Sequence, residues 1–247
     1  MEALRHPALD SLLRELQSHP VNTNTFFERF KNERLDDQRL RTFIVQYHYF
    51  CKHFVKVLEG LLFRTPLDEI EMRIGLTKTL YSELGNGDPE QAHITLLNNF
   101  ARTLGLDEAL LNRTIPTSGV TSYLDTLQNL FIQSDYLTAL GAELAVEVTA
   151  ASEFQYLYPG LQRYPMIREK DLHFFKIHVE EEVCHSTWLL DTVQRTARSD
   201  QDLDAVASGA RQTAQAWHQF WLEMYHEVFG PGDGGPRESP APAAAQS

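Results

Sequence analysis

A chain of 247 residues with 43% apolar content is long enough to bury one substantial core and requires no second domain. Its 34 acidic against 22 basic residues give a formal charge of −12 without any Lys/Arg block, which argues against nucleic acid or an anionic membrane as a partner. Two cysteines cannot build a disulfide framework, no apolar run approaches a membrane span, and the first ten residues lack a signal-peptide core, so the expectation is a cytoplasmic protein.

Leu9, Leu12, Leu13 and Leu16 recur at helical spacing between Pro7 and Pro20, and a short helix, FFERFKNERL, follows the Asn/Thr-rich turn. A third helix is predicted from Asp36 to Phe63, ended by Thr65-Pro66, with an aromatic face on which Tyr47, His48 or His53 could supply a polar handle. Leu67 to Leu84 reads as a helix carrying Ile70, Ile74, Leu76, Leu80 and Glu83 and breaking at the GNGDP turn. Pro89 is expected to open the next helix, with His93 in its first turn and Gly105 at its end. Because the turn doubles the chain back, Glu83 and His93 can point at one spot.

A short helical piece at Asp107 to Asn112 and a TIPTSG linker lead to a helix over Ser122 to Ile132. The segment from Asp135 to Tyr158 is rich in Ala and Gly, so other helices can approach it closely, and Pro159-Gly160 is expected to end it. Glu143 and Glu147 stand in this apolar run, where a carboxylate must be paired, protonated or metal-bound. The last helix is predicted from Ser199 to Phe229, with His218 and His226 as ordinary histidines. The Pro/Gly/Ala/Ser-rich tail, residues 230–247, is expected to be disordered beyond a helical domain over 1–229. No strand alternation occurs, so the fold class is all-α, a bundle of about seven main helices.

The stretch from Asp171 to Val193 organises the rest. It sets His178, Glu182 and His185 at i, i+4 and i+7, within about 40° on one helical face, and such a set can close on a metal ion. Glu181, about 60° off that patch, is an alternative inward carboxylate. With Glu83, His93 and Glu147 the set becomes three carboxylates and three imidazoles from four helices, the way dinuclear iron sites are built in bundle cores. The mixed O/N donors suit iron or manganese better than structural zinc.

The runs ELGNGDPEQAH, AVEVTAASEFQYLYPGL and HVEEEVCH, in that order, resemble the haem-oxygenase-like di-iron oxidases, the iron-containing redox enzyme relatives of the TenA/PqqC group. The resemblance implies a haem-oxygenase-like bundle in which Glu83, His93, Glu147, His178, Glu182 and His185 hold two Fe(II) ions, with O2 as co-substrate. Glu182 stands where the family often has Asp, and Glu143 has no role in the pattern. It further implies an oxygenase of a natural-product pathway, acting by N-oxygenation or oxidative C–C cleavage on a small carboxylate-bearing substrate, amino-acid-derived in preference to a fatty acid. Arg73, Lys78, Arg163 and Lys176 are candidates for gripping that carboxylate. The partners expected are a small-molecule substrate and an external electron donor, with a homodimer left open. The alternatives are a TenA-like hydrolase, which needs a nucleophilic Cys51 or Cys184, and a non-catalytic metal-binding interaction protein.

Overall fold

The structure, a computed structural model, describes residues 6–230, except that the side chains of residues 180–187 lie outside the described set. Ten α-helices follow one another among the described residues, with no strand between them: α1 (Pro7–Ser18), α2 (Thr25–Asn32), α3 (Asp37–Arg64), α4 (Ile70–Glu83), α5 (His93–Thr103), α6 (Glu108–Asn112), α7 (Ser118–Gln128), α8 (Tyr136–Gln162), α9 (His173–Thr196) and α10 (Asp200–Phe229). The all-α class is as expected, while the count exceeds seven because α2 and α6 are short separate pieces.

Capping sets most of these boundaries. Asp36, Thr117 and Asp135 each accept a backbone N–H of the first turn that follows, and Ser199 forms a reciprocal capping box with Asp202. Several boundaries differ from expectation, among them α7, which starts at Ser118 inside the expected linker rather than at Ser122. Helix α4 starts at Ile70 rather than Leu67, and both Ile70 and Ile74 are exposed. Helix α5 starts at His93, because Pro89 sits in the preceding turn. Pro159 does not end α8; that helix runs on to Gln162, with Leu157 and Leu161 fully buried on either side of the proline. Gly160 makes the last turn possible, since a Cβ there would fall 2.6 Å from the Phe30 ring.

Helix α8 is the axis of the bundle. It is buried over most of its circumference, packing mainly on α10 and α9 and also on α2. Two glycines let α8 and α10 meet backbone to backbone: a Cβ on Gly141 would lie 1.8 Å from the Val206 carbonyl oxygen, and one on Gly209 would lie 1.9 Å from that of Thr138. Gly75 likewise makes room for Trp188 between α4 and α9. An aromatic knot of Phe26, Phe27, Phe30, Phe43, Tyr47 and Trp221 ties α2, α3 and α10 together at ring separations of 4.5–6.4 Å. Each such side chain contributes about 1.5–3 kcal/mol by burial.

Candidate metal centre

Helix α4 ends on Glu83, and the turn that follows it is forced by backbone geometry. Gly85, Asn86 and Gly87 have φ of +82°, +54° and +91°, the left-handed region that favours glycine and tolerates asparagine. A Cβ at Gly85 would lie 2.2 Å from the Asp88 carbonyl oxygen. The reversal brings His93, the first residue of α5, onto Glu83: His93 Nδ1 lies 3.0 Å from Glu83 Oε2, yet that nitrogen is buried without a hydrogen bond among the described residues. Helix α9 supplies His178, whose ring centroid is 4.5 Å from that of His93.

One ligand atom each from Glu83, His93 and His178 lies within 4.8 Å of the others. His178 is oriented for this by its own turn. Its Nδ1 is 2.7 Å from the Phe174 carbonyl, so Nδ1 carries the proton and Nε2 keeps its lone pair for an ion. Phe154 stacks on the same ring at 4.4 Å and limits its rotation.

Glu147, from α8, lines the same cavity as these three residues. Glu143, one turn earlier, is fully buried, and neither carboxyl oxygen finds a hydrogen bond at ordinary geometry among the described residues. Burial first, then the charges of Glu147 and Glu83, push its carboxyl well above the usual range. Of the six expected ligands, the structure thus brings Glu83, His93 and His178 together and places Glu147 on their cavity. Glu182 and His185, together with Glu181 and Cys184, fall on side chains outside the described residues.

The cavity also holds residues the sequence reading passed over. Glu153, a buried carboxylate on α8, accepts a hydrogen bond from the Tyr47 hydroxyl of α3, and Tyr123 and Trp217 complete the wall. The apolar context of Glu153, between Ala150 and Phe154, was the available signal. Of the three polar handles suggested for α3, Tyr47 and not His48 or His53 faces this cavity; His48 bonds Asn98 at 2.7 Å and His53 the Tyr49 carbonyl at 2.8 Å. None of the four basic residues proposed to grip a carboxylate lines it. Arg73 and Arg163 donate to the carbonyls of Thr65 and Lys31, and Lys78 and Lys176 are exposed.

Residues 41–218 match the model of the iron-containing redox enzyme family, a span that includes α4, α5, α8, α9 and every residue of the cluster. The chain belongs to that family. As an iron-containing redox enzyme it is an oxidoreductase, and it is 25% identical over 186 residues to a 4-chloro-allylglycine synthase of Streptantibioticus cattleyicolor, covering 75% of this chain and 70% of that protein. It is also 22% identical over 212 residues to a 4-aminobenzoate synthase of Chlamydia pneumoniae, covering 86% and 92% of the two chains. The fold is that of a CADD-like protein of unknown function from Nostoc punctiforme, at a TM-score of 0.75 and 21% identity over 89% of this chain and 98% of the other. A TenA homologue from Pseudomonas syringae superposes at a TM-score of 0.72, with 13% identity over 88% and 91%. These likenesses establish the haem-oxygenase-like fold expected from the sequence.

The donor set of this iron-containing redox enzyme fits iron: a partly buried carboxylate and two imidazoles, one of them pre-set to the required tautomer, with no thiolate among the described members of the cluster. Cys51 lines the cavity too, but burial first, and then the Glu153 and Glu83 charges, push its thiol well up. That is opposite to what a nucleophilic thiolate needs.

Glu153 gives a pH prediction. Burial raises its carboxyl to about 8, against an ordinary value of 4.5, despite the Tyr47 hydrogen bond. A folded-state value above the unfolded one means that its contribution to stability is complete below about pH 4.5 and is lost as pH rises through about 8. Glu153→Gln therefore gains in melting temperature relative to the native chain on going from pH 5 to pH 9. A difference between the two chains that stays constant over that range contradicts the assignment.

Proposed function

We propose that this protein is a non-haem di-iron oxygenase that uses O2 to oxidise a small amino-acid-derived substrate, by N-oxygenation or oxidative C–C cleavage, in a natural-product pathway. The observation that carries the proposal is the convergence of Glu83, His93 and His178 within 4.8 Å on a buried cavity that Glu147 also lines. In this reading Glu83, His93, Glu147 and His178 hold the iron together with Glu182 and His185, which the sequence spacing His178-x3-Glu182-x2-His185 places one and two turns further along α9. The names of the relatives support the substrate class, since one is a synthase of a substituted allylglycine.

When bound, two ferrous ions supply electrons for the reduction of O2. The chain's own residues do the rest. The Phe174 carbonyl fixes the His178 proton on Nδ1, and Phe154 and Phe174 pack on that ring, leaving the ligand face of the imidazole turned to the cluster. The cavity is walled largely by apolar and aromatic side chains, which exclude water from the reacting groups.

The test is O2 uptake by iron-loaded protein with a panel of free amino acids and simple amines. The proposal expects uptake that at least one of these accelerates and that Glu147→Ala abolishes. Uptake indifferent to every amino compound but accelerated by fatty acids would replace the substrate class, and unchanged uptake in Glu147→Ala would remove that residue from the site.

A further inference from the structure

We propose that the wall built by α3, α7, α8 and α10 is an alkylammonium subsite, in which the Glu153 carboxylate, held by Tyr47, takes the charged amine of the substrate. The rings of Phe50, Tyr123 and Trp217 cover the carbons next to it. This deepens the reading above and rests on it only in taking the Glu83/His93/His178 cluster as the reacting centre.

Glu153 is 3% exposed, and the one hydrogen bond found for it among the described residues comes from a neutral phenol. A carboxyl so placed is costly to bury as an anion unless a cation joins it, and an entering ammonium supplies that cation. It faces the cavity, six residues beyond Glu147 on the same helix, and no metal-ligand role is assigned to it. Lining the same cavity are three mutually packed rings: Tyr123–Trp217 at 4.5 Å, Phe50–Trp217 at 5.0 Å and Phe50–Tyr123 at 5.5 Å. A carboxylate beside an aromatic box is the arrangement that binds ammonium groups, the first by a charge-assisted hydrogen bond and the second through the ring quadrupoles.

The charge inventory of the cavity selects the same end of an amino-acid-like molecule. Among its described lining residues are the carboxylates of Glu83, Glu147 and Glu153, and no lysine or arginine. In the reading above the iron offsets the charges of Glu83 and Glu147, so the carboxylate of this lining left to a ligand is Glu153, which repels a carboxylate at this wall and is complementary to an ammonium. The amine, and not the carboxylate, is the group gripped at depth.

The probes are hexylamine, 1-hexanol and hexanoate, matched in length and differing in the charge of the head group. Their binding to Fe(II)-loaded protein is measured calorimetrically at pH 8.5 without O2, where Glu153 is largely ionised and hexylamine is still an ammonium. Hexylamine should bind at least about tenfold more tightly than either of the others. Glu153→Gln should lose that preference while keeping its affinity for 1-hexanol. Tyr47→Phe should fall between the two, and Glu153→Asp should recover part of the loss. Hexanoate binding as tightly as hexylamine overturns the proposal, and so does a Glu153→Gln protein that keeps its amine affinity within twofold, which would send the nitrogen to the iron instead. If Glu153→Gln does not fold, as judged by circular dichroism, the three probes on the native chain decide alone. O2 uptake is scored separately. On the native chain, absence of any amine preference with intact uptake sinks the subsite alone, and amine preference without any uptake sinks the oxygenase reading alone.

Discussion

On the proposed reading, replacing His178 with alanine is expected to lower iron affinity by more than about 100-fold and to abolish O2 consumption, while the protein stays folded. The size follows from position. Loss of an outer partner of a metal-bound histidine costs about 10–100-fold in affinity, and His178 is itself one of the three groups whose ligand atoms converge within 4.8 Å. Folding survives because the ring is only partly buried and its stacking partners Phe154 and Phe174 sit in the core through many other contacts. His226→Ala serves as the control, since His226 is exposed on the last turn of α10, remote in sequence from the cluster. Inductively coupled plasma analysis after desalting, with an oxygen electrode in parallel, gives both readouts. Full iron content in His178→Ala with normal uptake would remove α9 from the centre.

The second large effect lies at the crossing of α8 and α10. Gly141→Ala places a methyl group 1.8 Å from the Val206 carbonyl oxygen, a backbone atom that no rotamer change can move aside. The helices must separate along their tightest contact, at a cost of about 3 kcal/mol or more, a large fraction of the stability of a domain this size. Because α8 also carries Glu147, the proposed function expects iron affinity to fall with stability. Gly209→Ala acts on the same contact, so the double variant is less destabilised than the sum of the two single ones. Gly60→Ala is the contrast. Its methyl would meet the end of the Ile132 side chain at 2.6 Å, which can rotate away. Urea unfolding of the four variants checks the ranking, and a Gly141→Ala loss below about 1 kcal/mol, under the usual overpacking cost, contradicts the close crossing.

Most of the fold was legible because helix periodicity and caps are local. The Asp36, Asp135 and Ser199 caps fall where the sequence places them, and the small residues of α8 do admit a neighbouring helix. Pro159 misled because a proline stops a helix only when nothing rewards the next turn, and here Leu161 and Gly160 pack against the core. Ile70 and Ile74 misled for the converse reason: an apolar residue at helical spacing carries no information about whether a neighbour exists to cover it.

The site divides in the same way. Glu83 and His93 were legible because the Gly85-Asn86-Gly87 reversal is written in residue types that accept positive φ. His178 was legible from spacing. Glu153 was signalled only by its apolar neighbours, and its partner, Tyr47, lies 106 positions away in sequence. The same limit applies to the basic residues. Their charge suggested a carboxylate grip, and only packing shows that Arg73 and Arg163 are committed to backbone carbonyls elsewhere.

The central claim, a dinuclear iron centre that reacts with O2, is tested most directly by anaerobic titration with Fe(II), followed by stopped-flow mixing with O2 and visible detection. Saturation at two Fe(II) per chain and a transient visible absorption on mixing, both lost in His93→Ala, is the predicted result. Saturation at one ion or none, with no reaction with O2 even when amino compounds are present, contradicts it.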